Sequence, residues 1–262
     1  MYYDNGAVPE DALQEKEAPE AEIREPVVKM WTPLHLRMDA DYTYVPDGVC
    51  FRTASALLRR LAYTVLPLVN RLCFGLQVEG RENLDSITGG AVTVCNHVHI
   101  LDCGMVACTY DDRRLFFPTL KSNLEIPFVR HLVRLLGGFP IPDTLGAMRS
   151  FSTAVKDLLL QGNIVHLYPE GVLVPYYDGV RKFRKGAFTF AYDCHVPVVP
   201  FLITYRTPQG LQKITHRKPL LTLHILPPVE PRYSGSRAQD IAWLCSTCSS
   251  EMKEAYRRLS GL

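Results

Sequence analysis

The chain lacks any run of the ~18 to 20 uninterrupted apolar residues that a spanning helix needs. Its best stretch, Leu61 to Val69, stops at Asn70 and Arg71. Integral insertion is therefore not expected, whereas lying on a membrane surface is open to it. Also missing is a basic segment followed by an apolar one at the start, where the sequence reads MYYDNGAVPEDALQEKEAPEAE. That is not an export signal, so a cytoplasmic location is expected. Cysteine itself is not scarce, but paired cysteine motifs are: the eight cysteines are scattered, and the one CxxC spacing, Cys245 and Cys248, has no second pair to complete a zinc site. Both fall in a helical pattern where they face the same way, which makes them buried apolar residues. Collagen-like, disordered and disulfide-scaffold classes are excluded by 47% hydrophobic and 21% charged residues.

What the chain does have is a hidden charge asymmetry. Residues 1–25 carry eight acidic side chains against Lys16 and Arg24, so the net +2 is a tail of −6 on a body of +8. A tail so poor in apolar residues is expected to be disordered. The basic body should prefer an anionic partner, such as phospholipid, a nucleotide-containing co-substrate or an acidic carrier protein. From Thr53 to Leu76 apolar residues recur at helical spacing and cover less than half of the circumference, with Arg59, Arg60, Asn70 and Arg71 on the other side. This predicts one amphipathic helix, or two broken near Pro67. Its apolar stripe fits either its own domain or an anionic membrane surface.

Beyond it, β-rich runs (76–79, 91–95, 115–119, 139–142, 164–168, 196–204, 220–226) alternate with helical patterns (101–111, 126–136, 145–160, 187–194, 237–259). This alternation predicts an α/β fold with a mostly parallel central sheet flanked by helices, preceded by the amphipathic element. Sites in such folds gather where strands end and helices begin.

The stretch from Val92 to Cys103 reads as an apolar strand, then a polar cluster of Asn96, His97, His99 and Asp102, then a helical pattern. On one continuous helix His97 and Asp102 would lie about 140° apart, so they meet only across a strand-to-helix turn. A histidine before a helix N-terminus is held neutral, as a general base must be. A carboxylate on its other nitrogen fixes the tautomer. The same cluster, with Cys95, also resembles the opening of a metal-hydrolase site, although its aspartate comes one residue late. A metal-dependent hydrolase using His97, His99 and Asp102 is therefore the rival from another chemical class.

Asn96-His97-x4-Asp102 resembles the His-x4-Asp motif of the PlsC-like glycerolipid acyltransferases, which include the 1-acylglycerol-3-phosphate acyltransferases. Four further blocks resemble that family's in order: Thr119 to Pro127, Leu136 to Ile141, Leu167-Tyr-Pro-Glu-Gly171 and Val196 to Pro200, with Phe183 to Phe188 similar to the segment after the third motif. The resemblance implies direct transfer from an acyl-CoA or acyl-carrier-protein thioester to an acceptor hydroxyl, with His97 and Asp102 catalytic. It implies acceptor binding by Asn96, Lys121, Glu170 and Gly171. No metal, bound cofactor or nucleic acid is expected. A membrane phospholipid surface, a lysolipid acceptor and an acyl carrier protein are the expected partners, at the cytoplasmic face of a membrane.

Two family arginines are replaced, one by Asp143 and one within Glu170-Gly-Val-Leu173. Two lost charged hydrogen bonds would weaken phosphate recognition by about 3 to 6 kcal/mol. Either Arg149, Arg181, Lys182, Arg184 and Lys185 supply other contacts to phosphate or acyl donor, or the acceptor is no phosphomonoester. The expected organisation is an acidic, disordered tail and linker over residues 1–50, a membrane-facing helical segment over 53–76 and an acyltransferase domain over 77–262.

Overall fold

A computed structural model describes residues 36, 38, 42–110 and 115–260. The acidic residues 1–25, expected to be disordered, lie outside the described residues. Part of the expected linker does not behave as one. Tyr44 is buried, packs edge-on against Phe139 and Phe151, and donates its hydroxyl to the Ala147 carbonyl at 3.0 Å. An aromatic pair in a polar segment carries no periodicity, so its anchoring role was not visible in the pattern.

The first helix, α1 (Val49–Phe74), starts four residues before the expected boundary and runs unbroken through Pro67. It stops at Gly75, whose φ of 55° lets its N–H reach back to the Asn70 carbonyl. Seven strands follow: β1 (Gln77–Glu79), β2 (Ala91–Cys95), β3 (Leu115–Leu120), β4 (Gly138–Ile141), β5 (Ile164–Leu167), β6 (Val198–Arg206) and β7 (Leu220–Ile225). They form one sheet in the order β1-β7-β6-β2-β5-β3-β4. All neighbours are parallel except β6 and β7, so β7 and β1 run against the other five. The remaining helices are α2 (Asp102–Ala107), α3 (Lys121–Leu124), α4 (Val129–Leu135), α5 (Leu145–Leu160), α6 (Gly186–Cys194), α7 (Gln212–Thr215) and α8 (Arg237–Leu259).

Every residue of β2 and of β7 is buried, as continuous apolar strands covered on both faces require. Alternation divides β2 between two cores. Val92 and Val94 join the core built with α5, α6 and α8, while Ala91 and Cys95 join the one that contains Met105, Val106 and Phe201. Cys245 and Cys248 are buried on α8 as free thiols. Because β2, β5, β3 and β4 are parallel, the segments that leave them emerge at one edge of the sheet. His97 follows β2, Tyr168 and Glu170 follow β5, Lys121 follows β3 and Asp143 follows β4. At a strand spacing of about 4.8 Å, β2 and β3, separated by β5, are about 10 Å apart.

Candidate active site

The chain leaves β2 at Cys95, turns through His97 to Leu101 and enters α2 at Asp102. The turn places His97 Nδ1 2.7 Å from Asp102 Oδ2. Asp102 is 1% exposed and its carboxylate is fully engaged. Oδ2 also accepts the His99 N–H at 3.4 Å, and Oδ1 accepts the Tyr168 hydroxyl at 2.5 Å. The Tyr168 ring lies flat on the His97 imidazole, with centroids 3.8 Å apart and planes 14° apart. Among the described residues no side chain is bonded to His97 Nε2. That nitrogen is therefore placed to take a proton from a bound hydroxyl. With only six residues, α2 contributes little dipole, so the carboxylate rather than the helix end orients this histidine.

Glu170 is not an open ligand. Its side chain is fully buried, and Arg181 holds it through the backbone N–H at 2.9 Å and the guanidinium at 2.7 to 3.0 Å. Glu170 in turn accepts the His97 N–H at 3.2 Å, which ties the start of the turn before α2 to the segment that leaves β5. Arg181 also donates to the Val172 carbonyl. The segment after Gly171 is braced against the same turn, with the amides of Val174 and Tyr176 donating to the carbonyls of His97 and Val98. Gly171 has φ +78°, a conformation in which a side chain is strained, whereas a Cβ there would meet only the exposed Arg184 side chain at 3.0 Å, so the backbone rather than space favours glycine.

Asn96 lies deeper than an acceptor-binding residue would. It is fully buried, and its amide exchanges two hydrogen bonds with the Ile203 backbone, at 3.0 and 2.8 Å. It therefore clamps the end of β2 to β6. Lys121 is paired with Asp143 at 2.9 Å, and this ammonium holds the Asp143 carboxyl below its ordinary value. The residue that replaces a family arginine thus offsets the lysine expected to meet a phosphate. Arg149, Lys182, Arg184 and Lys185 are exposed.

The hydrolase alternative needs His99 and Cys95 to converge with the dyad. Instead, His99 Nδ1 accepts the Leu101 N–H at 3.1 Å and its ring packs on Phe74. Among the described residues no three His, Cys, Asp or Glu side chains form a metal-holding group. Burial and then Asp102 push Cys95 well above the ordinary thiol range, and the same causes push Cys103 up to about 12, so both are neutral thiols near pH 7. Sequence reasoning missed Tyr168 as a partner of the dyad, because an aromatic residue at the end of an apolar strand reads as core. It also missed that Glu170 with Arg181, and Lys121 with Asp143, hold one another.

In an α/β sheet, a histidine-carboxylate pair at the carboxyl edge of the parallel strands is an arrangement suited to activating a hydroxyl. A family model described as Acyltransferase matches residues 75–204, which contain every element of this site. The 1-acyl-sn-glycerol-3-phosphate acyltransferase of Salmonella typhimurium is 29% identical over 182 residues, covering 66% of this chain and 71% of its own length. That of Escherichia coli is 25% identical over 189 residues, covering 71% and 75%. The crystal structure of the LPA acyltransferase PlsC from Thermotoga maritima superposes with a TM-score of 0.53 at 20% identity, covering 80% of this chain and 79% of that one. The chain belongs to the PlsC-like acyltransferase family, and it is an acyltransferase.

Proposed function

We propose that the protein moves a fatty acyl group from an acyl-CoA or acyl-carrier-protein thioester to the hydroxyl of a lysophospholipid or glycerol-phosphate-type acceptor in phospholipid synthesis. The observation that carries this reading is the His97 Nδ1 to Asp102 contact of 2.7 Å, which leaves Nε2 with no side-chain partner among the described residues. His97 Nε2 removes the acceptor's hydroxyl proton, and the oxygen attacks the thioester carbonyl. Asp102 steadies the imidazolium that forms. The tetrahedral adduct then collapses, the C–S bond breaks, and the leaving thiolate takes the proton back from His97. The neutral thiols of Cys95 and Cys103 fit a direct transfer with no acyl-enzyme.

The acceptor is the open choice, and the Lys121–Asp143 pair favours one without a phosphomonoester. A screen of glycerol 3-phosphate, lysophosphatidate and lysolipids carrying only a phosphodiester, read by thiol release, tests this. Preference for a phosphodiester acceptor is expected. A preference for lysophosphatidate by orders of magnitude would return the acceptor to the family's usual type, and no thiol release with any acceptor would refute the activity.

Placement at a membrane is part of the same reading. Helix α1 is amphipathic in the inverted sense: its buried residues are polar, Arg59 and Asn70, while Leu57, Leu61, Val65, Leu68 and Leu72 are 44 to 66% exposed. At 100° per residue these five lie within about 80°, on the side opposite Arg59 and Asn70. Arg59 is held inward by the carbonyls of Leu135 at 3.3 Å and Leu115 at 2.9 Å. Ile100, Phe128, Leu132, Leu211 and Ile214 add exposed apolar groups on elements next to α1, and α7 is tied to it by His216 and the Leu72 carbonyl. Arg60 and Arg71 are exposed on α1 itself. An apolar stripe with nearby cations suits an anionic phospholipid surface. No helix among the described residues is long and apolar enough to cross a membrane.

A further inference from the structure

We infer that Tyr168 is a positioning residue for acyl transfer: its hydroxyl holds the Asp102 carboxylate, and its ring holds the imidazole of His97. The inference rests on the proposed base role of His97 and adds a third member to that pair. The observation is the double contact. Tyr168 donates to Asp102 Oδ1 at 2.5 Å, on the oxygen that His97 does not use, while its ring stacks on the imidazole at 3.8 Å. A carboxylate bonded through only one oxygen can swing about its own axis. One bonded through both, by groups on α2's flank and on β5's exit, holds a single orientation. The stack removes the other freedom, rotation of the imidazole out of the carboxylate plane.

The hydroxyl also sets how strongly Asp102 attracts a proton on His97. Burial, and after it the Asp102 charge, hold the Tyr168 phenol well above the ordinary tyrosine value, so it remains a donor across the working range. A short hydrogen bond from a neutral donor draws charge from the carboxylate. Remove it, and Asp102 stabilises the imidazolium more, so His97 is protonated at higher pH. The other titratable groups packed here are Cys95 on β2, Cys103 on α2, His99 in the turn, and Glu170. His166 on β5 also meets the Tyr168 ring edge-on at 4.6 Å. None of them donates to Asp102 Oδ1, so nothing replaces the phenol when it is lost.

The test is Tyr168→Phe, which keeps the ring and deletes only the donor, compared with wild type for the pH dependence of kcat/KM and for the NMR titration of the His97 ring in the full chain. The acid limb of the profile should move to higher pH. Its plateau kcat should fall about 3- to 10-fold, with the donor KM unchanged. The His97 titration should shift upward in step. In an Asp102→Asn background the same replacement should produce no further shift, because its route is through that carboxylate. A Tyr168→Phe protein whose pH profile and His97 titration match wild type would reduce Tyr168 to packing and overturn the inference. Should the wild type transfer no acyl group to any acceptor, the proposed function fails, and the His97 titration alone still decides what Tyr168 does.

Discussion

Replacing Leu61 and Leu68 together by serine probes the inverted face of α1 without touching the core. The two side chains are 61% and 59% exposed, so the folded protein has little packing to lose there. Fully burying a leucine side chain contributes about 1.5 to 3 kcal/mol relative to leaving it in water. With about three-fifths of each surface still to be buried, a membrane gains about 1 to 2 kcal/mol per leucine, and the pair about 2 to 4 kcal/mol. That converts to a loss of about 30- to 700-fold in partitioning onto vesicles. Sedimentation with vesicles rich in anionic phospholipid measures it, and a melting curve serves as the control. The variant should melt within about 2 °C of wild type. If vesicle binding were unchanged while the fold was intact, the outward stripe would not be the docking face. If instead the melting temperature fell steeply, the stripe would be packed against protein in solution.

Two further outcomes follow from buried polar groups. Asn96→Ala deletes both hydrogen bonds to the Ile203 backbone in a fully buried site, so urea unfolding should show a loss of about 2 to 4 kcal/mol. A loss below half a kcal/mol would mean that β2 and β6 need no clamp. His166 is fully buried with Nδ1 2.8 Å from the Thr93 hydroxyl, and burial lowers it to about 4. The unfolded chain therefore binds the proton first as pH falls, and stability is lost from about pH 6.5 down to about 4. The full loss is about 3 kcal/mol by linkage, so thermal melting should decline across that window. A flat profile there would show that His166 is not held neutral.

Most of the sheet was legible because its strands are short apolar runs bounded by turn residues, and Ala91 to Cys95 needed no tertiary information to read. Helices α5, α6 and α8 were equally plain, their apolar positions being the ones that now face β5, β2 and β6 respectively. The direction of α1 was not legible. A stripe at helical spacing is the same whether it faces inward or outward, and here Arg59, a residue usually assigned to solvent, finds two backbone carbonyls inside. Proximity of His97 and Asp102 could be argued from five residues of separation and a turn. Pairings that cross between strand ends could not: Lys121 meets Asp143 over 22 residues and Arg181 meets Glu170 over 11. Only the parallel order β5-β3-β4 puts the first pair side by side. Tyr168 was hidden for a different reason. At the end of an apolar strand an aromatic residue reads as core, and its hydroxyl acquires meaning only when Asp102 arrives from α2.

The most direct measurement is the rate of acyl transfer by His97→Ala, followed as thiol release from an acyl thioester in the presence of the best acceptor. A loss of about 10²- to 10⁴-fold is expected, with circular dichroism showing that the variant is folded at the assay temperature. Near-normal turnover by a folded His97→Ala protein would contradict the base role, since among the described residues no other group at this edge of the sheet is placed to take the proton.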